Sequence, residues 1–300
     1  MLKSFSIGID LGGTKTEVIL LDPNNKEVFR KRKPTLKLEG YDAICNTIVE
    51  LIEEAKQIAK SQVSLGMGIP GIIDPISGKV INANTTILIG KTLRSDLEQR
   101  LNQPIAIEND ANCFVMAEAF HGAATGQNCV FGVIMGTGCG GGLFINGHIY
   151  HGANGIAGEW GHVSIDPNGP KCWCGNYGCI ETFISGTGLE NHYQMKSGKP
   201  AKVPEILNLV QSKDSIALEV FDQFLENFGR SLGGLISVLD PDLIVIGGGL
   251  SHINQLYTEG VNRIHKYAFH PNLKTKVVKN QLGDSAGVFG AAYIGVLPES

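Results

Sequence analysis

Apolar positions along this chain follow two periods, and the switches between them mark out the elements. Short apolar runs come first. FSIGID at 5–10 reads as a strand ending just before a glycine pair, TEVILLD at 16–22 as a second strand, PNN at 23–25 as a turn, and KEVFRKRKP at 26–34 as a third strand. From 41 to 60 the period lengthens: Ile44, Ile48, Leu51, Ile52, Ala55 and Ile58 recur at helical spacing. LGMGIP at 65–70 and IAIEND at 105–110 read as buried strands, the latter leading into a helix from Ala111 to about His121.

The second half opens like the first. CVFGVIMG at 129–136 reads as a strand, a glycine run follows, and GLFING at 142–147 predicts a hairpin turned at Asn146–Gly147 with HIYHG as the return strand. A long helix is expected over 215–239, a strand and glycine turn over LIVIGGGL at 243–250, and a further helix over 253–269. The small apolar stretch from Gly287 to Val296 predicts a last helix. Strands alternating with helices mean α/β architecture. Two half-copies of strand, glycine turn and hairpin suggest a duplicated fold with a cleft between the halves. No low-complexity segment or solenoid period interrupts the pattern.

With 300 residues, 43% hydrophobic and 18% charged, the chain can bury a sizeable core. A net charge of −4 without a basic patch argues against a nucleic-acid partner. No apolar run approaches the ~20 residues that span a bilayer. The start, MLKSFSIGIDLGG, is a short apolar run interrupted by Asp10, which does not read as a signal peptide. Seven cysteines, three of them in a metal-like pattern, fit the reducing cytoplasm. The 39 glycines lie in clusters and suggest loops that approach phosphates closely.

Residues 159–182, EWGHVSIDPNGPKCWCGNYGCIET, carry the sharpest chemistry. His162 with Cys172, Cys174 and Cys179 matches the closed Cys3His set of a structural zinc site. Free thiols are the alternative; the histidine, and glycines at 175 and 178 that let the loop turn tightly, favour metal. A Cys172–Cys174 disulfide would close a strained ring. Glu159 and Glu181 flank the cluster.

Three glycine turns sit at strand ends: DLGGTKT at 10–16, GTGCGGG at 136–142 and GGGL at 247–250. In the first, Gly12 and Gly13 permit positive φ and an anion nest, Thr14 and Thr16 add hydroxyls, and Lys15 a charge. Together the three turns point to a polyphosphate ligand, although none fits a P-loop or a dinucleotide fingerprint. Asp10, between strand and nest, suits a magnesium ion directly or through water; a turn-forming aspartate is the alternative. Asn109–Asp110 joins a strand to a helix. Asp110 reads equally as an N-cap or as a general base towards a hydroxyl, and the dipeptide leaves both open. Glu159, His162, Glu181, Asn109 and Asp110 supply the acceptors that vicinal hydroxyls need. Asn82 and Asn84 in NANTT offer amide contacts or merely a solvated loop.

These segments, with GIPG at 68–71, ENDAN at 108–112 and EWGH at 159–162, resemble in content and order the ROK sugar kinases over nearly the whole chain. Within that family ENDANC and GCIETFISGTG look most like bacterial fructokinases of the manno(fructo)kinase type. The resemblance implies an actin-like ATPase (ribonuclease H-like) fold of two lobes with a central cleft. The expected small lobe is 1–120, completed by a C-terminal helix within 285–300, and the large lobe is 121–284 with the zinc-binding insertion 159–182. The resemblance also implies ATP and magnesium at Asp10, Gly12, Gly13, Thr14 and Lys15 and at Thr137 and Gly138, with the nucleoside near Gly248 and Gly249. It implies Asp110 as catalytic base, with Asn84, Asn109, Glu159, His162 and Glu181 on the sugar and Gly71 beneath it. The activity implied is ATP-dependent phosphorylation of a hexose at O6, D-fructose foremost and D-mannose weaker, with glucose and N-acetylhexosamines as alternatives. Repressors in the same family carry an N-terminal helix-turn-helix, for which a first strand near Phe5 leaves no room. A homodimer is common in the family.

Overall fold

The computed structural model describes residues 4–296. Its elements run β1 (Phe5–Leu11), β2 (Lys15–Leu21), β3 (Glu27–Pro34), α1 (Tyr41–Ala59), β4 (Val63–Ile69), β5 (Ile72–Ile73), β6 (Val80–Ile81), α2 (Leu93–Leu101), β7 (Ala106–Asn109) and α3 (Asp110–His121). They continue β8 (Cys129–Met135), β9 (Cys139–Ile145), β10 (His148–Ile149), α4 (Glu181–Ile184), α5 (Gly186–Ser197), α6 (Val203–Gln211), α7 (Ser215–Leu239), β11 (Leu243–Gly247), α8 (Glu259–Tyr267), β12 (Lys276–Lys279) and α9 (Ala286–Ile294). Among the described residues no helix is long and apolar enough to cross a membrane.

The chain divides into two units. Among the described residues, the first holds those up to Gly122, His148–Ala157 and those from Asp284 on. Its sheet has the order β3-β2-β1-β4-β7, with β1 antiparallel to β2 and parallel to β4, and β4 parallel to β7. The periodic positions of α1 are buried as their spacing requires, through Ala55; Ile58 alone faces water, at 46% exposure. The tail lies so close to the strands that only glycine fits beneath it: a Cβ on Gly8 would come 2.9 Å from the Ala292 Cβ. That contact explains why a small residue stands at Ala292. Ser6 adds a hydrogen bond to the Ala292 carbonyl.

The second unit comprises Ala123–Gly147 and Gly158–Gly283. Here β9-β8-β11-β12 run side by side, β8 antiparallel to β9 and parallel to β11, and β11 parallel to β12. This repeats the order and directions of β2-β1-β4-β7, so the duplication expected from the two similar openings is present in the topology. Helix α7 spans the predicted 215–239. Asp214 caps its start, accepting from Ala217 N at 2.8 Å, and its Phe221, Phe224 and Phe228 are buried in this unit's core.

Several expectations need correction. HIYHG gives only the two-residue β10, because the chain turns at Gly152 (φ 73°) and His151 is drawn to a partner on β7. The single helix expected over 253–269 is broken at Thr258, with a short 3-10 turn before it and α8 after it. The break lets Gly260 approach the ring of Phe228, where a Cβ would lie at 2.9 Å. Residues 148–157, expected in the second lobe, cluster with the first unit.

Candidate active site

In the first unit the parallel strands end together. Register pairs Asp10 with Gly68 across β1 and β4, and Ile69 with Asn109 across β4 and β7. Ligands of open parallel sheets bind at such carboxyl ends. Burial, then the charges of Asp110 and Glu17, push the Asp10 carboxyl up to about 6, against the pull of Lys15 and Arg32. Asp10 and Asp110 are therefore near enough to repel. Two carboxylates that destabilise each other are a donor set suited to a hard divalent cation, so magnesium fits here.

The β1–β2 turn is closed by Gly12 N donating to the Lys15 carbonyl at 2.9 Å. Thr35 braces it: its hydroxyl donates to the Gly12 carbonyl at 2.8 Å and its N–H to the Thr14 carbonyl at 2.9 Å. Gly13, Thr14 and Lys15 are exposed. Two expectations fail here. Neither Gly12 nor Gly13 takes positive φ, so this is not the nest anticipated. Thr16 is not a free donor either, since its hydroxyl is buried against that of Thr35 at 2.9 Å.

Asp110 is not the N-cap of α3. Asn109 is, its Oδ1 accepting from Ala111 N at 2.8 Å, and Asp110 opens the first turn. The Asn109 amide also donates to the Gly71 carbonyl at 3.4 Å. GIPG and NANTT pack together: Asn84 N donates to the Pro70 carbonyl at 3.0 Å, and a Cβ on Gly71 would lie 2.7 Å from that of Ala83. Gly71, Asn84, Asn109 and Asp110 thus belong to one cluster. Beside it is a cavity of about 490 Å³ whose wall includes Asn109, Glu108, Asn112, Arg94 and His151. Glu108 accepts from the Asn112 amide at 3.0 Å and pairs with His151 Nε2. That pairing raises the His151 pKa, against burial and the nearby Arg94 charge.

The second unit places its residues in the equivalent way. The β8–β9 turn carries Thr137 and Gly138, and Gly248 (φ 80°) and Gly249 follow β11, which runs parallel beside β8. Gly136 N donates to the Gly138 carbonyl at 2.9 Å, and the start of α5 locks the turn: Gly186 N donates to Gly136 O at 2.8 Å and Thr187 N to Thr137 O at 3.2 Å. Gly136 and Gly138 lack positive φ. A Cβ on Gly138 would instead press on the Glu181 carboxylate and push it off its bond to Cys139 N. Glu181 accepts from Cys139 N at 2.9 Å through Oε2 and from the Trp173 indole at 2.7 Å through Oε1. Burial, then the charge of Glu181, raises the Glu159 pKa, so these two carboxylates are neighbours.

Two of the distances within the expected metal set match those a zinc ion imposes. Tetrahedral zinc with sulfur at ~2.3 Å and nitrogen at ~2.0 Å sets its ligands roughly 3.5–3.8 Å apart. Cys172 Sγ lies 3.6 Å from His162 Nδ1, Cys174 Sγ lies 3.7 Å from Cys179 Sγ, and all four ligand atoms fall within 4.8 Å of one another. Gly175 (φ 100°) and Gly178 (φ 62°) supply the turns that gather them. The Trp173 ring stands edge-on to His162.

The residue reading did not anticipate Thr35, Trp173 or the Glu108–His151 pair. Glu108 adjoins the singled-out Asn109–Asp110, which was a signal. Nothing local marks His151 or Trp173, whose partners are 43 and 8 residues away.

The ROK family model matches residues 6–296. A Pectobacterium atrosepticum protein named N-acetyl-D-glucosamine kinase is 38% identical over 297 residues, covering 96% of this chain and 97% of its own. Among solved structures, a ROK hexokinase from Thermus thermophilus superposes with a TM-score of 0.89 at 29% identity, with 97% of each chain covered. A ROK-family glucokinase from Streptomyces griseus, in complex with glucose and AMPPNP, gives a TM-score of 0.78 at 27% identity, covering 97% of this chain and 99% of its own.

Proposed function

The chain belongs to the ROK family, has the actin-like ATPase fold and is an ATP-dependent sugar kinase; from that premise we propose that its substrate is an N-acetylated hexosamine, N-acetyl-D-glucosamine first, phosphorylated at O6. The relative named for that activity, 38% identical over 96% of this chain, is the observation that carries the reading. It displaces D-fructose, which rested on short stretches around ENDANC and GCIETFISGTG.

Asp110 takes the substrate hydroxyl proton as the oxygen bonds to the γ-phosphorus and the bond from that phosphorus to the β-bridging oxygen breaks. Its proximity to Asp10, whose carboxyl the Asp110 charge helps to raise, supports the assignment. Asn109, Asn84 and Gly71 hold sugar polar groups. Glu159, His162 and Glu181 are assigned to the sugar as well, with Glu181 also bracing the β8–β9 turn. The nucleotide is assigned to Gly12, Gly13, Thr14, Lys15, Thr137, Gly138, Gly248 and Gly249. Asp10 would hold magnesium, which supplies neutralisation of phosphate charge. Zinc at His162, Cys172, Cys174 and Cys179 is structural, because four protein ligands leave no open position.

A panel of N-acetylglucosamine, N-acetylmannosamine, glucose, mannose and fructose, with ADP release coupled to a spectroscopic signal, tests this. The expected outcome is the highest kcat/KM for N-acetylglucosamine. A higher value for fructose would overturn the substrate assignment and leave the kinase in place.

A further inference from the structure

We infer that His151 is a positioning residue for Asp110, acting through Glu108 to hold the junction between β7 and α3. The inference rests on the reading of Asp110 as the base. Asn109 and Asp110 sit at a strand-to-helix corner, and β7 is the edge strand of its sheet, paired on one side with β4. An edge strand of four residues is weakly held by its ladder alone. The corner is stapled from Glu108. One carboxylate oxygen accepts from Asn112, four residues on and already inside α3, at 3.0 Å, so the staple spans the two residues in question. The other pairs with His151 Nε2, which comes from a segment 43 residues away.

His151 is held as well. Ala157 N donates to its carbonyl at 3.0 Å, and Gly152 follows at φ 73°. Removing the imidazole leaves Glu108 with one partner and lets the corner rotate. Phosphoryl transfer is sensitive to such movement, since about 1 Å of misplacement can cost on the order of a hundredfold in rate.

The pair is charged only while His151 is protonated. Glu108 raises the His151 pKa, whereas burial and the Arg94 guanidinium lower it. Asp74 and His148 are the other titratable groups in the cavity wall, and Asp74 is engaged by Ser77. A group whose folded pKa is raised contributes its interaction below that pKa and loses it as pH rises. The positioning therefore weakens on the alkaline side.

The test compares wild type, His151→Gln, His151→Lys and Asp110→Asn, each checked for folding by circular dichroism and melting, with kcat and the ATP KM measured across pH on the best hexose. The expected result for His151→Gln is a fold intact, an ATP KM near wild type, and kcat lower by roughly ten- to a hundredfold with the alkaline limb gone. His151→Lys, which keeps a cation to higher pH, is expected to recover part of kcat and to move the limb upward. If His151→Gln melts lower yet keeps the wild-type kcat and pH profile, His151 is only a structural tie and the inference is overturned. If Asp110→Asn retains wild-type kcat, the base assignment fails first and takes the inference with it. An inactive Asp110→Asn beside a fully active His151→Gln removes the inference alone.

Discussion

The two units carry the same hairpin at the same place in the same sheet order, and they support it differently. The β1–β2 turn leaves Gly13, Thr14 and Lys15 exposed and is braced mainly by Thr35. The β8–β9 turn is tied down by the start of α5 and by Glu181, which also takes the Trp173 indole from the metal knot. At the strand ends beside these turns the first unit concentrates mutually repelling carboxylates, Asp10 and Asp110, while the second presents glycine. A duplicated scaffold has thus diverged into one edge that gathers carboxylate charge and one whose turn is tied to α5 and to the loop that brings His162, Cys172, Cys174 and Cys179 together.

The largest expected effect falls on the first edge. Asp110→Asn leaves the cap intact, because Asn109 provides it. General-base catalysis is typically worth about 10²–10⁴-fold, and kcat should fall by that order with zinc content unchanged. A kcat within a few-fold of wild type would make the first edge a scaffold like the second and dissolve the contrast. Next comes the knot. Cys179→Ser removes a ligand that is fully buried, and the expected outcome is loss of zinc by metal analysis with a destabilisation of roughly 2–4 kcal/mol in denaturant unfolding. Unchanged stability after metal loss would mean that the second turn owes nothing to the cluster.

The smallest effect has a definite sign. Asp10 is raised from 3.8 to about 6, so its ionisation costs stability. The cost is absent below the unfolded value and complete above the folded one. About two units at ~1.4 kcal/mol each give at most roughly 3 kcal/mol, less in practice because the carboxylate is partly exposed. Asp10→Asn without nucleotide should therefore unfold at higher temperature than wild type at pH 8 and at nearly the same temperature near pH 3. Equal melting at both pH values would show that the charge at the first edge is not under strain.

Helices and strands with a clear period were legible. α7 starts and stops where its pattern does, with Asp214 marking the start, and α1 follows its apolar stripe. The Cys3His set was legible because its residue types and spacing are local, and the fold does bring the four ligand atoms within 4.8 Å of one another. The break at Thr258 was not, because it depends on the approach of Gly260 to Phe228 from another helix. The glycines of both turns were recognised as special for the wrong reason: Gly138 makes room for Glu181 rather than adopting positive φ.

The sequence by itself determined the α/β alternation, the duplicated openings, the clustering of His162 with Cys172, Cys174 and Cys179, and the family, since each is written in local spacing or in ordered motifs. Only the tertiary structure decided how closely the tail, expected with the first lobe, seats on β1, with Ser6 bonded 286 residues away to Ala292. It alone decided that Asn109 rather than Asp110 caps α3, that both oxygens of Glu181 are engaged, and that His151 reaches Glu108. The reason is physical. Periodicity records which face of an element is buried, whereas a hydrogen bond between distant residues depends on where the packed elements bring two polar atoms within about 3 Å.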